Sequence, residues 1–277
     1  MITVLKVGGE LLEGVAAIKD VARAVARLAA KGPLVIVHGG GRAIDTELRA
    51  RGIEPKFVDG LRITDEATLD VVVSVLGGRN NTAFVAALSA AGLRAVGLTG
   101  ADAEIGISER APLFTATNGE QVDLGLVGQP IDSRPRLLSD LVRDGYVPVI
   151  ASIGIDANGA LLNVNADTLA AHLAGSVGAR RLIIAGGTAG VLDADGQSIA
   201  ELSLDRVDGM IASGEAHSGM VAKLVACRSA IERGVTDVAI VSGRGVCDFN
   251  DARGTHVAAE LVGGAPARRS PQGGGGR

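Results

Sequence analysis

The sequence predicts an α/β protein in which a mainly parallel sheet is covered by helices on both faces. Short β-branched segments alternate with longer Ala- and Leu-rich segments of helical period, the pattern of strands joined by helical crossovers. Hydrophobic residues make up 47% of the 277 residues, and aromatic residues only 2%. A core of Val, Leu, Ile and Ala is typical of a buried parallel sheet under Ala-rich helices.

The predicted elements follow this alternation along most of the chain. Strands are expected at residues 2–7, 33–38, 94–100, 146–154, 180–187 and 237–243. Helices are expected at residues 18–32, about 43–50, 135–145, 167–178 and 219–234, with one or two more within 65–92. Residues 101–135 interrupt the alternation because they are polar and glycine-rich, which predicts a small antiparallel extension or lid.

Length and composition favour a single domain. No segment has the composition of a linker, so one domain is expected over residues 1–266. The final segment, residues 267–277, is rich in Gly, Ser and Pro and is predicted to be a disordered tail.

Composition also disfavours several classes of partner. The net charge is −4 and basic residues are not clustered, so nucleic acid is not an expected partner. The apolar N-terminal segment is interrupted at Lys6 and Glu10, and it is too short for a signal peptide or a membrane span. Two cysteines give no disulfide framework, which favours the reducing cytoplasm.

Glycine-rich turns follow three of the predicted strands, at residues 6–10, 37–41 and 184–190. In open α/β sheets, ligands bind beyond the carboxyl ends of the strands. Glycine lets a ligand approach backbone N–H groups closely, and a following helix N-terminus favours anions. These turns predict one phosphate-bearing site. The P-loop pattern is absent, and the first strand is not followed by the GxGxxG pattern of simple NAD-binding folds.

Three charged residues are candidates for chemistry at this site. Lys6 lies inside an apolar strand, where it would either meet phosphate at the strand end or extend its ammonium to the surface. Lys223 stands early in a helix, where a lysine opposes the macrodipole unless an anion is near; a solvated surface lysine is the alternative. Asp167 follows Asn163 and Asn165 at strand spacing, and it could also be a simple helix N-cap.

Nine segments together resemble the amino-acid kinase family. They occur in the same order as in the family and extend over roughly residues 2–260. They are KVGGE, VIVHGGGRAID, DGLRITDEATLDVV, AVGLTG, the polar insert ending in GLVGQPI, GYVPVIASIGID, NVNADTLAAHLA, GVLDADG and SGMVAKL. The resemblance implies a three-layer αβα sandwich with a mainly parallel central sheet, of the carbamate-kinase type. It also implies that the N-terminal half, about residues 1–175, binds an acyl amino acid and that the C-terminal half, about residues 176–266, binds ATP.

The implied reaction is phosphoryl transfer from MgATP to the γ-carboxylate of N-acetyl-L-glutamate, a step of arginine biosynthesis. The nucleophile is already ionised at pH 7, so catalysis depends on positioning and charge neutralisation. By resemblance, Lys6 and Lys223 flank the transferred group and Asp167 holds both lysines. Mg²⁺ would be held mainly by the ATP phosphates, so no metal-ligand cluster is expected.

The resemblance also assigns binding residues. The acyl amino acid would be bound by Gly40, Gly41, Arg62 and Asn163, with Arg62 gripping the α-carboxylate through its bidentate guanidinium. Backbone N–H groups of Gly8, Gly9 and Gly41 would contact phosphoryl oxygens, and the nucleotide would be bound at Thr188, Gly190 and Gly219.

Some features depart from the family pattern. The nucleotide loop, commonly S/T-D-V-x-G, is GGTAG here and lacks the acidic residue. The chain begins at the first strand, whereas the arginine-inhibited branch carries an extra N-terminal helix, so a homodimer with weak or no arginine feedback is expected. Three other functions stay open: a kinase of N-acylated or carrier-linked α-aminoadipate, a non-catalytic sensor of amino acid or nucleotide, and a Rossmann-type oxidoreductase.

Overall fold

The computed structural model describes residues 1–193, 195–216 and 218–260, so the predicted tail at 267–277 lies outside the described residues. Its strands are β1 (Thr3–Val7), β2 (Leu34–His38), β3 (Phe57–Val58), β4 (Leu61–Arg62), β5 (Ala95–Thr99), β6 (Ile107–Arg110), β7 (Phe114–Thr115), β8 (Gln121–Val122), β9 (Val127–Asp132), β10 (Val147–Ala151), β11 (Ile153–Ile155), β12 (Leu161–Val164), β13 (Arg181–Gly186), β14 (Glu201–Ser203), β15 (Asp237–Ser242) and β16 (Gly254–Ala258). The α-helices are α1 (Val15–Ala29), α2 (Gly41–Ala50), α3 (Glu66–Val72), α4 (Asn81–Ala90), α5 (Arg136–Arg143), α6 (Ala166–Ser176), α7 (Leu204–Ala212) and α8 (Ser218–Glu232).

An eight-stranded sheet in the order β14-β16-β15-β13-β1-β2-β10-β5 forms the central layer. Neighbouring strands are parallel except for the antiparallel pair β15 and β16. Helices α1 and α4 pack on one face, and α5, α6 and α8 pack on the other. The predicted three-layer αβα sandwich with a mainly parallel sheet is therefore confirmed, and the sheet contains strands from both halves of the chain.

Alternation along β1 sends neighbouring side chains to opposite faces of the sheet. Leu5 and Val7 join the core beneath α1, whereas Val4 joins the core beneath α6 and α8. Lys6, two residues after Val4, shares the α6 face because the side-chain period of a strand is two. Its position near the carboxyl end of β1 brings the ammonium to the edge where α6 begins.

The predicted antiparallel extension at 101–135 is confirmed, and it is larger than the sequence suggested. β6 pairs antiparallel with β9, and β7 pairs with β8. The hairpin of β11 and β12 closes β6 and β9 into a four-stranded ring. The predicted strand at 146–154 therefore breaks at Ser152, where the chain leaves the main sheet for this ring.

The predicted helical region 65–92 is one continuous helical run, Glu66–Ala90, with a π-helical segment at Val73–Asn80 between α3 and α4. This run is long and apolar enough to cross a membrane by length and composition alone. A core helix satisfies the same test, and here α4 packs against α1, β5 and β10. β14, α7 and β16 were not predicted, because β14 has three residues and α7 follows it without a turn signal.

Candidate active site

Lys6 is buried and paired with a carboxylate. Its side chain is 8% exposed, and Nζ lies 2.9 Å from Asp167 Oδ1. The alternative that Lys6 extends to the surface is therefore wrong. The contact is an ion pair without the alignment of a hydrogen bond, since Oδ1 has no hydrogen-bond partner in the described part of the chain.

Asp167 is free to meet Lys6 because another residue caps its helix. The side-chain oxygen of Asn165 accepts hydrogen bonds from the N–H groups of Asp167 (2.9 Å) and Thr168 (3.1 Å). Helix α6 thus begins at Ala166, one residue before the predicted start, and Asp167 is not its N-cap. Asn165 therefore caps the N–H groups at the helix end, and Asp167 holds the ammonium group of Lys6.

Lys223 approaches the same carboxylate from the opposite side. Its Nζ lies 3.8 Å from Asp167 Oδ2 and donates a hydrogen bond to the carbonyl of Gly219 at 3.2 Å. Its side chain is 16% exposed, so the alternative of a solvated surface lysine is wrong. One aspartate therefore lies between two ammonium groups carried by β1 and α8.

A cavity of about 280 Å³ opens beside this pair, and it collects every residue predicted to bind the acyl amino acid: Gly40, Gly41, Arg62 and Asn163. Lys6, Gly9, Glu10 and Asp167 line it as well. Asn163 Nδ2 donates to Thr64 Oγ1 at 3.0 Å, which fixes the amide at the wall. We call this the acceptor cavity.

Arg62 lines the acceptor cavity and has one buried donor without a partner among the described residues. Its Nη2 lies 2.6 Å from Asp45 Oδ1 and donates to the carbonyl of Gly41 at 3.2 Å. Its guanidinium carbon lies 4.7 Å from the centre of the Phe57 ring. Nη1 is buried and has no hydrogen-bond partner among the described residues, so the guanidinium keeps unused capacity to donate to a carboxylate.

A second cavity of about 430 Å³ adjoins the first, and Glu10 and Gly41 line both. We call it the phosphate cavity because its other lining residues are mostly basic or lie in the third glycine turn: Arg42, Gly187, Thr188, Lys223 and Arg244. Of the residues predicted for the nucleotide, Thr188 lies in this wall, and Gly219 lies one helical turn before Lys223.

One predicted phosphate contact, Gly8, and one predicted nucleotide-binding residue, Gly190, have other partners. The N–H of Gly8 donates to the carbonyl of Ala185 at 2.9 Å, within the main sheet, so it is not free for phosphate. Gly190 lines neither cavity; its φ is +93°, and a Cβ there would lie 2.6 Å from Thr255 Oγ1. Gly190 is thus required by a tight turn packed on β16.

The glycine triplet after β2 allows two loops to touch through their backbones. A Cβ on Gly9 would lie 2.5 Å from Gly40 Cα, and one on Gly40 would lie 2.6 Å from Asn80 Nδ2. A side chain at Gly9 would push the loops after β1 and β2 apart, and one at Gly40 would press on the side chains of Leu76 and Asn80. Gly9 lines the acceptor cavity and Gly41 lines both cavities, so their N–H groups stay candidate donors to a ligand.

The sequence prediction missed three charged residues: Glu10, Arg42 and Arg244. Glu10 Oε1 accepts a hydrogen bond from the N–H of Gly187 at 2.8 Å and so connects the turns after β1 and β13. Arg244 lies over Gly187, because a Cβ there would be 3.2 Å from its Nε. Both residues follow the carboxyl ends of parallel strands, a position that could have identified them.

His38, the first residue of the HGGG motif, serves the fold. It is fully buried, and its Nε2 lies 3.0 Å from Asn81 Nδ2 while Nδ1 lies 3.2 Å from the carbonyl of Gly39. Neutral imidazole satisfies both contacts when Nδ1 carries the proton and donates to Gly39. Burial lowers the pKa of His38 from 6.5 to about 4.

This burial predicts a specific loss of stability in mild acid. The unfolded chain takes up a proton at His38 near pH 6.5, whereas the folded protein does so only near pH 4. The stability from neutral His38 is thus complete above pH 6.5 and declines as the pH falls toward 4. Between pH 7 and 5 the unfolding free energy should fall by about 2 kcal/mol through this residue.

Urea denaturation at pH 7 and pH 5 measures this effect. A His38→Gln variant should lose about 2 kcal/mol less than the unsubstituted protein between the two pH values, whatever its own stability at pH 7. His256→Gln, at an exposed histidine, serves as the matched control and should keep the full dependence. An equal pH dependence in all three proteins would contradict the assignment.

Comparison with known proteins gives the family. A sequence model described as the amino acid kinase family matches residues 1–242. The chain is 40% identical over 239 residues to an acetylglutamate kinase of Koribacter versatilis, covering 86% of this chain and 89% of that protein. It is 38% identical over 246 residues to the acetylglutamate kinase of Sphingopyxis alaskensis, and the match covers 87% of this chain and 82% of that protein.

Solved structures share the fold at lower identity. The smu.665 protein of Streptococcus mutans superposes with a TM-score of 0.76 at 24% identity, over 94% of this chain and 99% of that one. Carbamate kinase of Giardia superposes with a TM-score of 0.66 at 13% identity, over 94% of this chain and 99% of that one. By its sequence match and its αβα architecture, the chain belongs to the amino acid kinase family.

Proposed function

We propose that this protein transfers the γ-phosphoryl group of ATP to the γ-carboxylate of N-acetyl-L-glutamate, the reaction of an acetylglutamate kinase in arginine biosynthesis. The observation that carries the proposal is the placement of Asp167 between Lys6 and Lys223, where the acceptor and phosphate cavities meet. Relatives with that name, at 38–40% identity over most of the chain, support the same reaction.

Charge neutralisation is the chemical problem that this arrangement solves. An anionic carboxylate must approach a polyphosphate, and no general base is needed because the nucleophile is already ionised. Lys6 would neutralise charge on the acceptor side and Lys223 on the nucleotide side as negative charge spreads over the transferred group. Asp167 fixes both ammonium groups before substrates arrive, so little reorganisation accompanies the transfer.

The acceptor cavity suits a small dicarboxylic amino acid. The guanidinium of Arg62 would bind the α-carboxylate, and the side-chain carboxylate would then extend toward Lys6. Gly40, Gly41 and Asn163 would complete the binding of the acyl amino acid. The buried side chains of Ile44 and Leu76 close the cavity wall, which limits the length of the substrate.

ATP would bind with its phosphates in the phosphate cavity, accompanied by Mg²⁺. Lys223, Arg42 and Arg244 supply positive charge there, and Thr188 adds a hydroxyl. Arg244 is positioned beside the GGTAG turn, which lacks the acidic residue common in the family. In this proposal residues to about 175 bind the acceptor and later residues to about 266 bind ATP; residues 261–266 lie outside the described part of the chain.

A homodimer with weak or no arginine feedback, in the cytoplasm, remains part of the proposal. Strand β5 lies at the edge of the main sheet and offers backbone groups for pairing with a second copy. Cys227 and Cys247 are both free thiols, as expected in a reducing compartment. A hexameric mass in size-exclusion chromatography, with inhibition by sub-millimolar arginine, would contradict this part.

Arg62→Ala should mainly raise KM for N-acetyl-L-glutamate, because the guanidinium contacts the substrate equally in the ground and transition states. Because a hydrogen bond to a charged group is lost, KM should rise by about 10- to 100-fold while kcat changes little. Steady-state kinetics at saturating ATP measure it. Arg51→Ala, which removes a surface arginine paired with Glu47 and Asp70, should leave KM unchanged. A lowered kcat with normal KM would contradict the role given to Arg62.

The substrate is tested by trapping the acyl phosphate with hydroxylamine. N-acetyl-L-glutamate should give ATP-dependent hydroxamate with a higher kcat/KM than N-acetyl-α-aminoadipate. A carrier-linked substrate is disfavoured, because the 810 Å³ groove beside the acceptor cavity has no Lys or Arg among the described residues that line it. No hydroxamate from N-acetyl-L-glutamate would contradict the proposal, and it is the result that a non-catalytic sensor would give.

A further inference from the structure

Glu10 is an anion in a site built for anions. It lines both the acceptor cavity and the phosphate cavity, so its carboxylate lies where the acceptor and the polyphosphate must meet. Asp167, the other carboxylate in the acceptor cavity, is neutralised by Lys6 and Lys223. Lys223, Arg42 and Arg244 line the phosphate cavity with Glu10, but among the described residues no Lys, Arg or His nitrogen lies within 4 Å of its carboxylate, so Glu10 forms no direct ion pair there.

The carboxylate of Glu10 is also held in place. Its Oε1 accepts the 2.8 Å hydrogen bond from the N–H of Gly187, whereas Oε2 has no hydrogen-bond partner in the described chain. Two glycines leave space for the carboxylate in this position. A Cβ on Gly8 would lie 2.5 Å from Oε2, and one on Gly186 would lie 3.3 Å from Oε1.

A carboxylate at this position repels the acceptor carboxylate and the phosphates, and a cation that binds between them would remove this repulsion. Mg²⁺ fits this requirement, because it prefers oxygen ligands and is commonly bound by one or two carboxylates together with substrate phosphates. No group of three His, Cys, Asp or Glu side chains in the described residues could hold a metal ion unaided. A single anchored carboxylate is therefore matched to a cation that arrives with ATP.

Building on the proposed function, we propose that Glu10 is the protein's own ligand for the Mg²⁺ ion of the nucleotide, through Oε2, while Oε1 stays on the N–H of Gly187. The ligand class is a divalent cation bound to a polyphosphate. With Glu10 as a ligand, nucleotide affinity depends on Mg²⁺ more strongly than it would if the phosphates alone held the ion.

The test is the affinity for ADP, measured by titration calorimetry in excess Mg²⁺ and again in EDTA. The ratio of the two Kd values reports how much Mg²⁺ strengthens binding. Glu10→Gln keeps the size of the side chain and an oxygen that can accept from Gly187, but it removes the charge. This variant should lower the ratio on the order of tenfold, while its Kd in EDTA stays equal to that of the unsubstituted protein or becomes tighter.

Two further variants separate metal binding from a structural role. Glu66→Gln also removes one negative charge but lines neither cavity, so its ratio should match the unsubstituted protein. Glu10→Ala removes the hydrogen bond to Gly187 as well, and it should lower the ratio as far as Glu10→Gln does. A merely structural Glu10 would leave the ratio intact in Glu10→Gln.

The same experiment has two results that would overturn the inference. Both leave the Kd ratio of Glu10→Gln unchanged: in one the two Kd values stay the same, and in the other affinity rises equally in both buffers, which would mean that Glu10 only repels phosphate. Absence of ADP binding by the unsubstituted protein in both buffers would instead refute the proposed function and this inference with it. Electron paramagnetic resonance of Mn²⁺ and ADP gives an independent readout, which is the line width of the Mn²⁺ signal. At equal occupancy of the protein by ADP, the change on mixing should differ between the unsubstituted protein and Glu10→Gln, because the variant lacks the carboxylate ligand.

Discussion

Lys6→Ala should lower kcat by on the order of 10²–10³, the scale for losing one preorganised charge contact to a transition state. Nζ of Lys6 lies 2.9 Å from Asp167 Oδ1 and at the wall of the acceptor cavity, so it is fixed before the substrate binds. The charge that it neutralises is greatest during transfer. The effect should therefore appear in kcat more than in KM for either substrate.

The Lys6 experiment needs a control for folding, because the substitution leaves Asp167 with only the more distant Lys223 as counter-charge. Lys6→Met, which preserves the length of the side chain, should lose kcat to the same extent. Lys19→Ala, at an exposed lysine of α1, should retain full activity. Full kcat in a folded Lys6→Ala protein would refute the assigned role.

Asp167→Asn should give the second large effect, on both stability and rate. Asp167 is 5% exposed and Lys6 is 6% exposed, so the substitution leaves a buried ammonium without its counter-charge. Removing one partner of a buried ion pair costs about 3–5 kcal/mol. Because both lysines lose their common anchor, kcat should also fall by on the order of 10²-fold or more.

Urea denaturation at pH 7 measures the stability change. Asp20→Asn removes a carboxylate from an exposed ion pair with Arg23, and it should change stability by about 0.5 kcal/mol or less. Removing both charges in Lys6→Met/Asp167→Leu should recover much of the stability of the single variant while activity stays lost. An Asp167→Asn protein as stable as the unsubstituted one would show that the pair is not the buried element described above.

Much of the site could be predicted because strand ends and glycines are local signals. The turns at 6–10 and 37–41 follow apolar strands, and their glycines are needed for a close approach that the structure contains between Gly9 and Gly40. Lys6 could be identified because a charge inside an apolar strand is costly unless it has a partner. The sheet followed from the alternation of strands and helices alone.

Other features depend on contacts that one segment cannot reveal. Asp167 was a candidate helix cap in the sequence, but Asn165 caps α6 and Asp167 pairs with Lys6, which lies far away in the chain. Gly190 resembled a nucleotide-loop glycine, but its neighbour is Thr255 in a strand that the sequence did not predict. Arg244 follows β15 and joins the site only because β15 pairs with β13.

The central claim is that two lysines from distant parts of the chain, held by one aspartate, border the group that is transferred. A crystal structure with ADP and N-acetyl-L-glutamate tests it most directly. The account predicts the γ-carboxylate beside Lys6 Nζ, the α-carboxylate on Arg62 and the β-phosphate beside Lys223. An acyl amino acid bound with its α-carboxylate toward Lys6, or a nucleotide bound away from Lys223, would contradict it.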